Sequence, residues 1–199
     1  MFNESLAIQI SSETLSNGFV LAIAILVLMI GTVIYSLVRV FWIEYSEDIK
    51  DPLPSWRKNA MIILLVTGMA IALYLSYIEI TSVKAFCGPV GNCNTVQSSK
   101  YARLFGVLPI GLLGFVGYVL MLMAWIFGRN NHPKIHYYSR LAFFGMALFG
   151  VLFSIYLTYL EPFVIKAVCI WCLSSALIMT LILLNSLPEI VQVLNQDLD

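Results

Sequence analysis

The stretch MIILLVTGMAIALYLSYIEITSVKAFC, residues 61–87, begins with an almost unbroken run of apolar residues and ends in a cysteine. A helix rises about 1.5 Å per residue and the hydrocarbon core of a bilayer is about 30 Å thick, so about 20 apolar residues can cross it. Lipid offers no water to satisfy backbone polar groups, so such a stretch must be helical. We therefore predict a transmembrane helix over residues 61–80 that brings Cys87 to one face of the membrane.

Four further stretches meet the same requirement. The chain has 199 residues, of which 60% are hydrophobic and only 11% are charged, a balance far from that of a soluble domain. This composition predicts an all-α membrane protein with five transmembrane helices, surrounded by lipid and with no nucleic acid among its partners. The predicted spans are residues 19–43, 61–80, 109–127, 141–160 and 168–187.

Lysine and arginine residues give the predicted orientation, because cytoplasmic loops carry an excess of them. Arg39, Lys50, Arg57, Lys58, Arg129, Lys134 and Arg140 fall on one side of the predicted spans, and Lys84, Lys100, Arg103 and Lys166 fall on the other. We expect a multi-pass protein of the plasma (inner) membrane with its N-terminus outside and its C-terminus in the cytoplasm. The inverted topology is the alternative.

The segment before Cys87 is one copy of an internal sequence repeat. YLSYIEITSVKAFC, residues 74–87, recurs 82 residues later as YLTYLEPFVIKAVC, residues 156–169, and Gly68 and Gly150 match upstream. A duplicated helix hairpin explains the repeat and makes the second and fourth spans parallel copies. The repeated acids Glu79 and Glu161 are either solvated helix ends or carriers of protons.

All four cysteines of the chain fall at or just beyond the predicted outer face. That face is the oxidising one in a bacterial-type plasma membrane, and an even number of closely spaced cysteines there indicates two dithiol pairs. CGPVGNC, residues 87–93, contains Gly and Pro and predicts a turn. CIWC, residues 169–172, places two sulfurs on one face of a helix start, where the helix dipole favours a thiolate at Cys169.

Structural disulfides and a zinc site are the alternatives to redox chemistry. A disulfide across one helical turn closes a very small loop and stabilises little. The two cysteine spacings together are not common for zinc, and an oxidising face works against thiolate ligands. A loop dithiol can instead exchange with a soluble thiol, and a second dithiol at a helix end can pass the electrons into the lipid phase. Quinones are the two-electron acceptors dissolved there, so the pattern predicts a thiol-to-quinone relay.

The sequence resembles the vitamin K epoxide reductase family in its bacterial, thiol-oxidising form. The resemblance is carried by YLSYIEI before Cys87, by the pair Cys87 and Cys93, by NTVQSSKYARLFGVLPIGLLGFVGY after that pair, and by CIWC with the trailing LSSA. It implies that the last four spans form a four-helix bundle around a quinone, either ubiquinone or menaquinone of the vitamin K type. The implied division is an N-terminal segment with an extra helix (1–57), a family core (58–187) and a short cytoplasmic tail (188–199).

The resemblance also implies a role for each cysteine. Cys87 would exchange with a separate thioredoxin-like (DsbA-like) protein on the outer face. Cys93 would pass the electrons to Cys169, and Cys172 would face the quinone.

Other positions of the family pattern concern the quinone. Ser99 matches the loop serine or threonine of the family, with Ser98 as the neighbouring alternative, and Trp171 either stacks on the quinone ring or belongs to the aromatic belt. Ala176 and Ile110 stand where animal members have a tyrosine and an asparagine that contact vitamin K, so quinone reduction is expected in preference to epoxide reduction.

The predicted function is that of a membrane thiol oxidase and quinone reductase that supports disulfide-bond formation. A DsbB-type oxidase is one alternative, although there the CxxC pair precedes the looser pair. A non-enzymatic membrane protein with structural disulfides is the other.

Overall fold

The computed structural model describes residues 2–41, 55–87, 92–104, 107–129 and 133–196. Its long helices are α1 (Phe2–Phe41), α2 (Ser55–Thr81), α4 (Ile110–Phe127), α5 (Pro133–Leu160) and α6 (Ile170–Gln196). A short helix α3 (Cys93–Gln97), a 3-10 turn (Lys100–Ala102) and two paired two-residue strands, β1 (Arg103–Leu104) and β2 (Leu108–Pro109), connect α2 to α4. A π-helical turn (Glu161–Ile165) follows α5.

The five predicted spans are confirmed. Within the described residues, five helices are long and apolar enough to cross a membrane: Asn17–Phe41, Trp56–Thr81, Ile110–Phe127, Lys134–Ile165 and Ile170–Leu194. They agree with the predicted ranges to within a few residues at most ends. The largest differences are the start of α5 and the end of α6, and residues 42–43 of the predicted first span lie outside the described residues.

The last four spans pack into a closed four-helix bundle. Helix α2 contacts α4, α4 contacts α5, α5 contacts α6, and α6 returns to α2. The extra helix α1 lies outside this ring and packs against α5 and α6. The bundle therefore contains the whole region that carries the family resemblance, with α1 added along one side.

The two repeated glycines make room for large side chains of the next helix of each hairpin. A Cβ at Gly68 would lie 2.4 Å from the ring of Tyr118 in α4, and a Cβ at Gly150 would lie 2.8 Å from the sulfur of Met179 in α6. Helices in lipid associate through close packing, because lipid chains are as apolar as the helix surfaces. The matching glycines thus have matching packing roles in the two halves of the bundle.

Helix α6 is longer than the predicted fifth span. It continues through Pro188 to Gln196, so most of the predicted tail, residues 188–199, is helical. Arg140 of α5 forms an ion pair with Glu189, and Arg57 of α2 donates from Nε to Oδ1 of Asn185 at 2.9 Å. These polar contacts fix the last turns of α6 at the end of the bundle remote from the cysteines.

Candidate functional site

The four cysteines form a continuous chain of sulfurs at one end of the bundle, which we call the cysteine end. The thiol of Cys93 contacts the thiols of Cys87 and Cys169, and the thiol of Cys169 contacts that of Cys172. Cys93 and Cys169 are both 0% exposed, whereas Cys87 and Cys172 are partly exposed. The two dithiol pairs predicted from the sequence therefore meet through their two buried members.

The loop that carries Cys93 is joined to the start of α6. The backbone N–H of Asn92 donates to the carbonyl oxygen of Val168 at 2.9 Å. The side chain of Asn92 also accepts from the backbone N–H of Thr95 and so caps α3, whose first residue is Cys93. Of the predicted turn over CGPVGNC, the structure describes Cys87, Asn92 and Cys93, and residues 88–91 lie outside the described residues.

Asn94 holds the segment that leads to Cys87. Its Oδ1 accepts from the backbone N–H of Ala85 at 2.7 Å, and its Nδ2 donates to the carbonyl oxygen of Ala85 at 3.5 Å. The same Nδ2 lies 3.9 Å from the sulfur of Cys87. One amide side chain therefore fixes Cys87 relative to α3 and Cys93.

The two aromatic residues Tyr74 and Trp171 hold the next peptide group. The backbone N–H of Phe86 donates to the hydroxyl of Tyr74 at 3.1 Å, and the indole Nε1 of Trp171 donates to the carbonyl oxygen of Phe86 at 2.9 Å. The two rings are 4.8 Å apart between centroids. A tyrosine of the repeat and the tryptophan of CIWC thus attach the Cys87 segment to the bundle.

The repeated glutamates each cap the helix that follows them. Oε2 of Glu79 accepts from the backbone N–H of Gly111 in the first turn of α4, and Oε2 of Glu161 accepts from the backbone N–H of Cys169 directly before α6, both at 2.9 Å. Glu79 is 7% exposed and Glu161 is 3% exposed. The interpretation of these acids as solvated helix ends is therefore wrong.

A cavity opens beside Cys172 at the cysteine end. It has an empty volume of about 380 Å³, including its mouth. Side chains with polar atoms line part of it, and apolar side chains such as Ile110, Leu157 and Leu160 complete the walls. The polar ones belong to Cys172, Ser99, Gln97, Tyr101, Glu79 and Glu161. The deeper dithiol therefore has a largely apolar cavity within reach.

Two polar atoms of this cavity are buried without a hydrogen-bond partner among the described residues. They are Oγ of Ser99 and Oε1 of Gln97, whose Nε2 lies 4.0 Å from the sulfur of Cys172. A buried unsatisfied polar group costs about 1–3 kcal/mol, so such groups indicate a missing ligand or solvent partner. A quinone fits this combination in part: the Ser99 hydroxyl can donate to a quinone oxygen, whereas Oε1 of Gln97 is an acceptor and can pair only with a hydroxyl of the quinol.

The remaining predicted site residues lie around this cavity. Ser99, and not the exposed Ser98, lines it; the hydroxyl of Ser98 donates to the carbonyl oxygen of Thr95. Trp171 lies outside the set of described residues that line the cavity, so its contact with a quinone stays a prediction. No set of three or more His, Cys, Asp or Glu side chains in the described part of the chain is arranged to hold a metal ion.

The structure differs from the sequence interpretation on the ionisation of Cys169. The backbone N–H of Cys172 does donate to the sulfur of Cys169 at 3.4 Å, as expected at a helix start. However, the neighbouring thiol of Cys172, burial and the nearby charge of Glu161 raise the pKa of the Cys169 thiol above its usual range. The thiol of Cys169 and then burial likewise raise the pKa of Cys93. Both buried thiols are therefore harder to deprotonate than an ordinary cysteine, contrary to the prediction that the helix start favours a thiolate at Cys169.

Asn92, Asn94 and Gln97 are the site residues that sequence reasoning missed. An asparagine directly before a helix is a typical N-cap, so the role of Asn92 could have been predicted from the local sequence. Asn94 and Gln97 act across the loop on Ala85, Cys87 and Cys172, and no local pattern indicates those contacts.

Five spans and a chain of four cysteines at one end of a helical bundle are typical of a membrane thiol–disulfide oxidoreductase. A sequence model described as the Vitamin K epoxide reductase family matches residues 60–187 of the chain. The protein belongs to this family and is a multi-pass membrane protein of the oxidoreductase class. The family is quinone-linked and works in general with thioredoxin-like partners.

Proposed function

We propose that the protein is a thiol oxidase and quinone reductase that supports disulfide-bond formation outside the membrane. Electrons enter from a reduced thioredoxin-like protein at Cys87 and Cys93, pass to Cys169 and Cys172, and leave to a quinone. The observation that carries this proposal is the continuous sulfur chain, because it begins at a partly exposed loop cysteine and ends beside an apolar cavity.

The loop half of the reaction is two thiol–disulfide exchanges. A thiolate of the partner attacks Cys87 of the Cys87–Cys93 disulfide and releases Cys93, and the second partner thiol then resolves the mixed disulfide. The partner leaves with a disulfide, and the loop keeps two thiols. The partial exposure of Cys87 and the burial of Cys93 support this order of attack.

The transfer between the pairs uses the contact of Cys93 with Cys169. Cys93 gives up its proton as its sulfur attacks Cys169 of the Cys169–Cys172 disulfide, and Cys172 is released and takes up a proton. Cys87 then attacks Cys93, which restores the loop disulfide and leaves Cys169 reduced. Two electrons and two protons have then moved from the loop pair to the helix pair.

In the cavity, Cys172 delivers the electron pair and Cys169 closes the disulfide with it. When bound, a quinone supplies the two-electron acceptor for this step. The Ser99 hydroxyl would donate to one of its oxygens, Oε1 of Gln97 would accept from a hydroxyl of the quinol, and Ile110 and Leu157 would exclude water from the ring. The apolar Ile110 supports quinone reduction in preference to epoxide reduction.

The cysteine end belongs, in this proposal, on the outer face of the plasma membrane. The distribution of Lys and Arg supports this orientation. Phe19 near the start of the first span packs against Phe163 at the cysteine end, with ring centroids 5.6 Å apart. The N-terminal side of α1 and the four cysteines therefore share one face, which a membrane-impermeant thiol reagent can identify on intact cells.

The test is an assay with purified protein, a reduced DsbA-like donor and either ubiquinone or menaquinone. We expect loss of quinone absorbance with the wild-type protein, and none with Cys172→Ala, which should still form a mixed disulfide between Cys87 and the donor. Cys93→Ala should leave the Cys169–Cys172 pair oxidised in the presence of the donor. The alternative is a non-enzymatic protein with structural disulfides. It predicts that the four cysteines of the wild-type protein stay in stable disulfides whether or not donor and quinone are added.

A further inference from the structure

Glu161 contacts both members of the CIWC pair. Its Oε2 accepts from the backbone N–H of Cys169 at 2.9 Å, and its carboxyl hydrogen-bonds to the thiol of Cys172. The side chain is 3% exposed and lines the cavity beside Cys172. One buried carboxyl thus contacts the terminal dithiol and also lines the cavity proposed to hold the quinone.

Helix capping alone does not account for an acid at this position. A neutral amide oxygen can accept the same backbone hydrogen bond, and burying a carboxylate costs far more than burying an amide. Within the described part of the chain, no Lys or Arg forms an ion pair with Glu161. The repeat counterpart Glu79 differs in this respect, because the charge of Arg103 acts on it, and its described hydrogen bonds include no cysteine.

We infer that Glu161 is a catalytic residue that carries the protons released by the CIWC pair to the quinone. This inference rests on the proposed function and assigns a proton route to it. Oxidation of two thiols to the Cys169–Cys172 disulfide releases two electrons and two protons, and reduction of a quinone to a quinol consumes the same number.

The route keeps atoms and electrons balanced. The carboxylate of Glu161 takes the proton of the Cys172 thiol as that sulfur gives up its electron pair, and donates this proton to one oxygen of the ligand. Cys169 then forms the S–S bond with Cys172, and its proton passes through the same carboxylate to the second oxygen. Glu161 ends as the carboxylate with which it began.

A catalytic and a purely structural role make opposite predictions for two substitutions. Glu161→Gln keeps the length and the hydrogen-bond acceptor but cannot carry a proton, whereas Glu161→Asp keeps the acid but shortens the reach by one methylene. If Glu161 carries protons, the Gln variant is the slower enzyme. If Glu161 only caps α6, the Asp variant is the more impaired one.

The experiment measures quinone reduction by wild type, Glu161→Gln, Glu161→Asp and Glu79→Gln, with the reduced donor in excess. We expect Glu161→Gln to lower the rate by about 100-fold or more, the loss typical of a missing general acid–base group. Glu161→Asp should lose less than Glu161→Gln. Glu79→Gln removes a carboxyl from the same cavity and likewise keeps the oxygen that caps its helix, so its loss of rate measures the effect of the lost carboxyl charge alone and should be at least tenfold smaller.

A second measurement needs no quinone. In the reduced protein, the infrared S–H stretching band of Cys172, identified as the band absent from Cys172→Ala, should lie at lower frequency in wild type than in Glu161→Gln. The reason is that a carboxylate accepts a stronger hydrogen bond than an amide. Formation of the Cys87 mixed disulfide with the donor should be normal in every variant, which verifies that the cysteine end is folded.

The outcomes distinguish a failure of the inference about Glu161 from a failure of the proposed function. A wild-type protein that does not reduce quinone removes the proposed function itself. A wild type that does reduce quinone, with Glu161→Gln no slower than Glu79→Gln or faster than Glu161→Asp, overturns the inference and leaves the proposed function standing. An S–H band at the same frequency in wild type and Glu161→Gln also overturns it.

Discussion

The backbone N–H of Asn92 donates to the carbonyl oxygen of Val168 at 2.9 Å, so the residues directly before Cys93 and Cys169 are joined to each other. A backbone hydrogen bond holds two segments of the chain in one register, and it does not depend on the redox state of any side chain. The contact between the sulfurs of Cys93 and Cys169 is thus built into the meeting of the loop with α6. In the proposed relay, the transfer of electrons between the two dithiol pairs depends on this contact.

Cys87 should react as a thiolate only at elevated pH. Burial, followed by the neighbouring thiol of Cys93, raises the pKa of the Cys87 thiol above its ordinary value. Because the thiolate is the nucleophile, the alkylation rate of reduced Cys87 should still be rising at a pH where an unperturbed cysteine has levelled off. Alkylation followed by mass spectrometry across a pH series measures this curve.

The matched variant for this experiment is Cys93→Ala, with Cys169→Ala and Cys172→Ala present in both proteins. Removing the Cys93 thiol removes the second cause of the raised pKa, so the alkylation curve of Cys87 should move to lower pH. A curve that stays in place or moves to higher pH would contradict the assigned cause.

Asn94→Ala should loosen the segment that carries Cys87. The substitution leaves the backbone N–H of Ala85 without its 2.7 Å acceptor, and Ala85 is buried. A buried donor left unpaired costs about 1–3 kcal/mol. We expect faster proteolysis at the cysteine end and slower electron transfer from the donor, measured as the rate of reduction of the Cys169–Cys172 pair.

Thr95→Ala is the control for Asn94→Ala, because Thr95 is the next residue of α3 and its side chain is exposed. It should behave as wild type in both measurements. Equal effects of the two substitutions would mean that the integrity of α3, and not the hydrogen bonds of Asn94, positions Cys87.

The helical architecture could be predicted from the sequence because lipid imposes a simple rule. A span must be helical, apolar and about 20 residues long, and the five spans satisfy that rule in composition alone. The end of α6 was missed for the same reason, since Pro188 and Glu189 break the apolar pattern. The helix continues there, where Ile190 and Val191 are buried in the core and Arg140 pairs with Glu189, contacts between residues distant in the chain.

The site could be predicted only in part. The cysteines stand out by residue type, and the repeat places two of them at equivalent helix ends. The contacts that assemble the site are between residues separated in the chain: Cys93 with Cys169, Trp171 with Phe86, and Glu161 with Cys172. The prediction of a thiolate at Cys169 is wrong because the thiol of Cys172 and the carboxyl of Glu161, neither of which the local helix-start pattern takes into account, raise the pKa of Cys169.

Gly68→Ala should destabilise the bundle. The added Cβ would lie 2.4 Å from ring atoms of Tyr118, which is 1% exposed and has little space to move. Overpacking of this kind costs about 1–3 kcal/mol, so the apparent Tm in detergent should fall. Gly145→Ala in α5 is the control, since no atom lies within 4 Å of its new Cβ and alanine favours a helix; its Tm should be unchanged or higher. Equal Tm values for the two variants would show that Tyr118 moves aside at little cost.

Ser99→Ala should weaken quinone binding without destabilising the protein. The hydroxyl of Ser99 is buried without a partner among the described residues, so its removal leaves no partner unpaired in the protein alone, and the Tm without quinone should not fall. If this hydroxyl donates to a quinone oxygen, its loss removes one hydrogen bond of about 0.5–1.5 kcal/mol and raises the KM for quinone about twofold to tenfold. Ser98→Ala is the matched control, because Ser98 is exposed and lies outside the set of described residues that line the cavity, so its KM should equal that of wild type. An unchanged KM for Ser99→Ala together with a lower Tm would assign the Ser99 hydroxyl to the folding of the loop and leave the quinone held by Gln97 and the apolar walls.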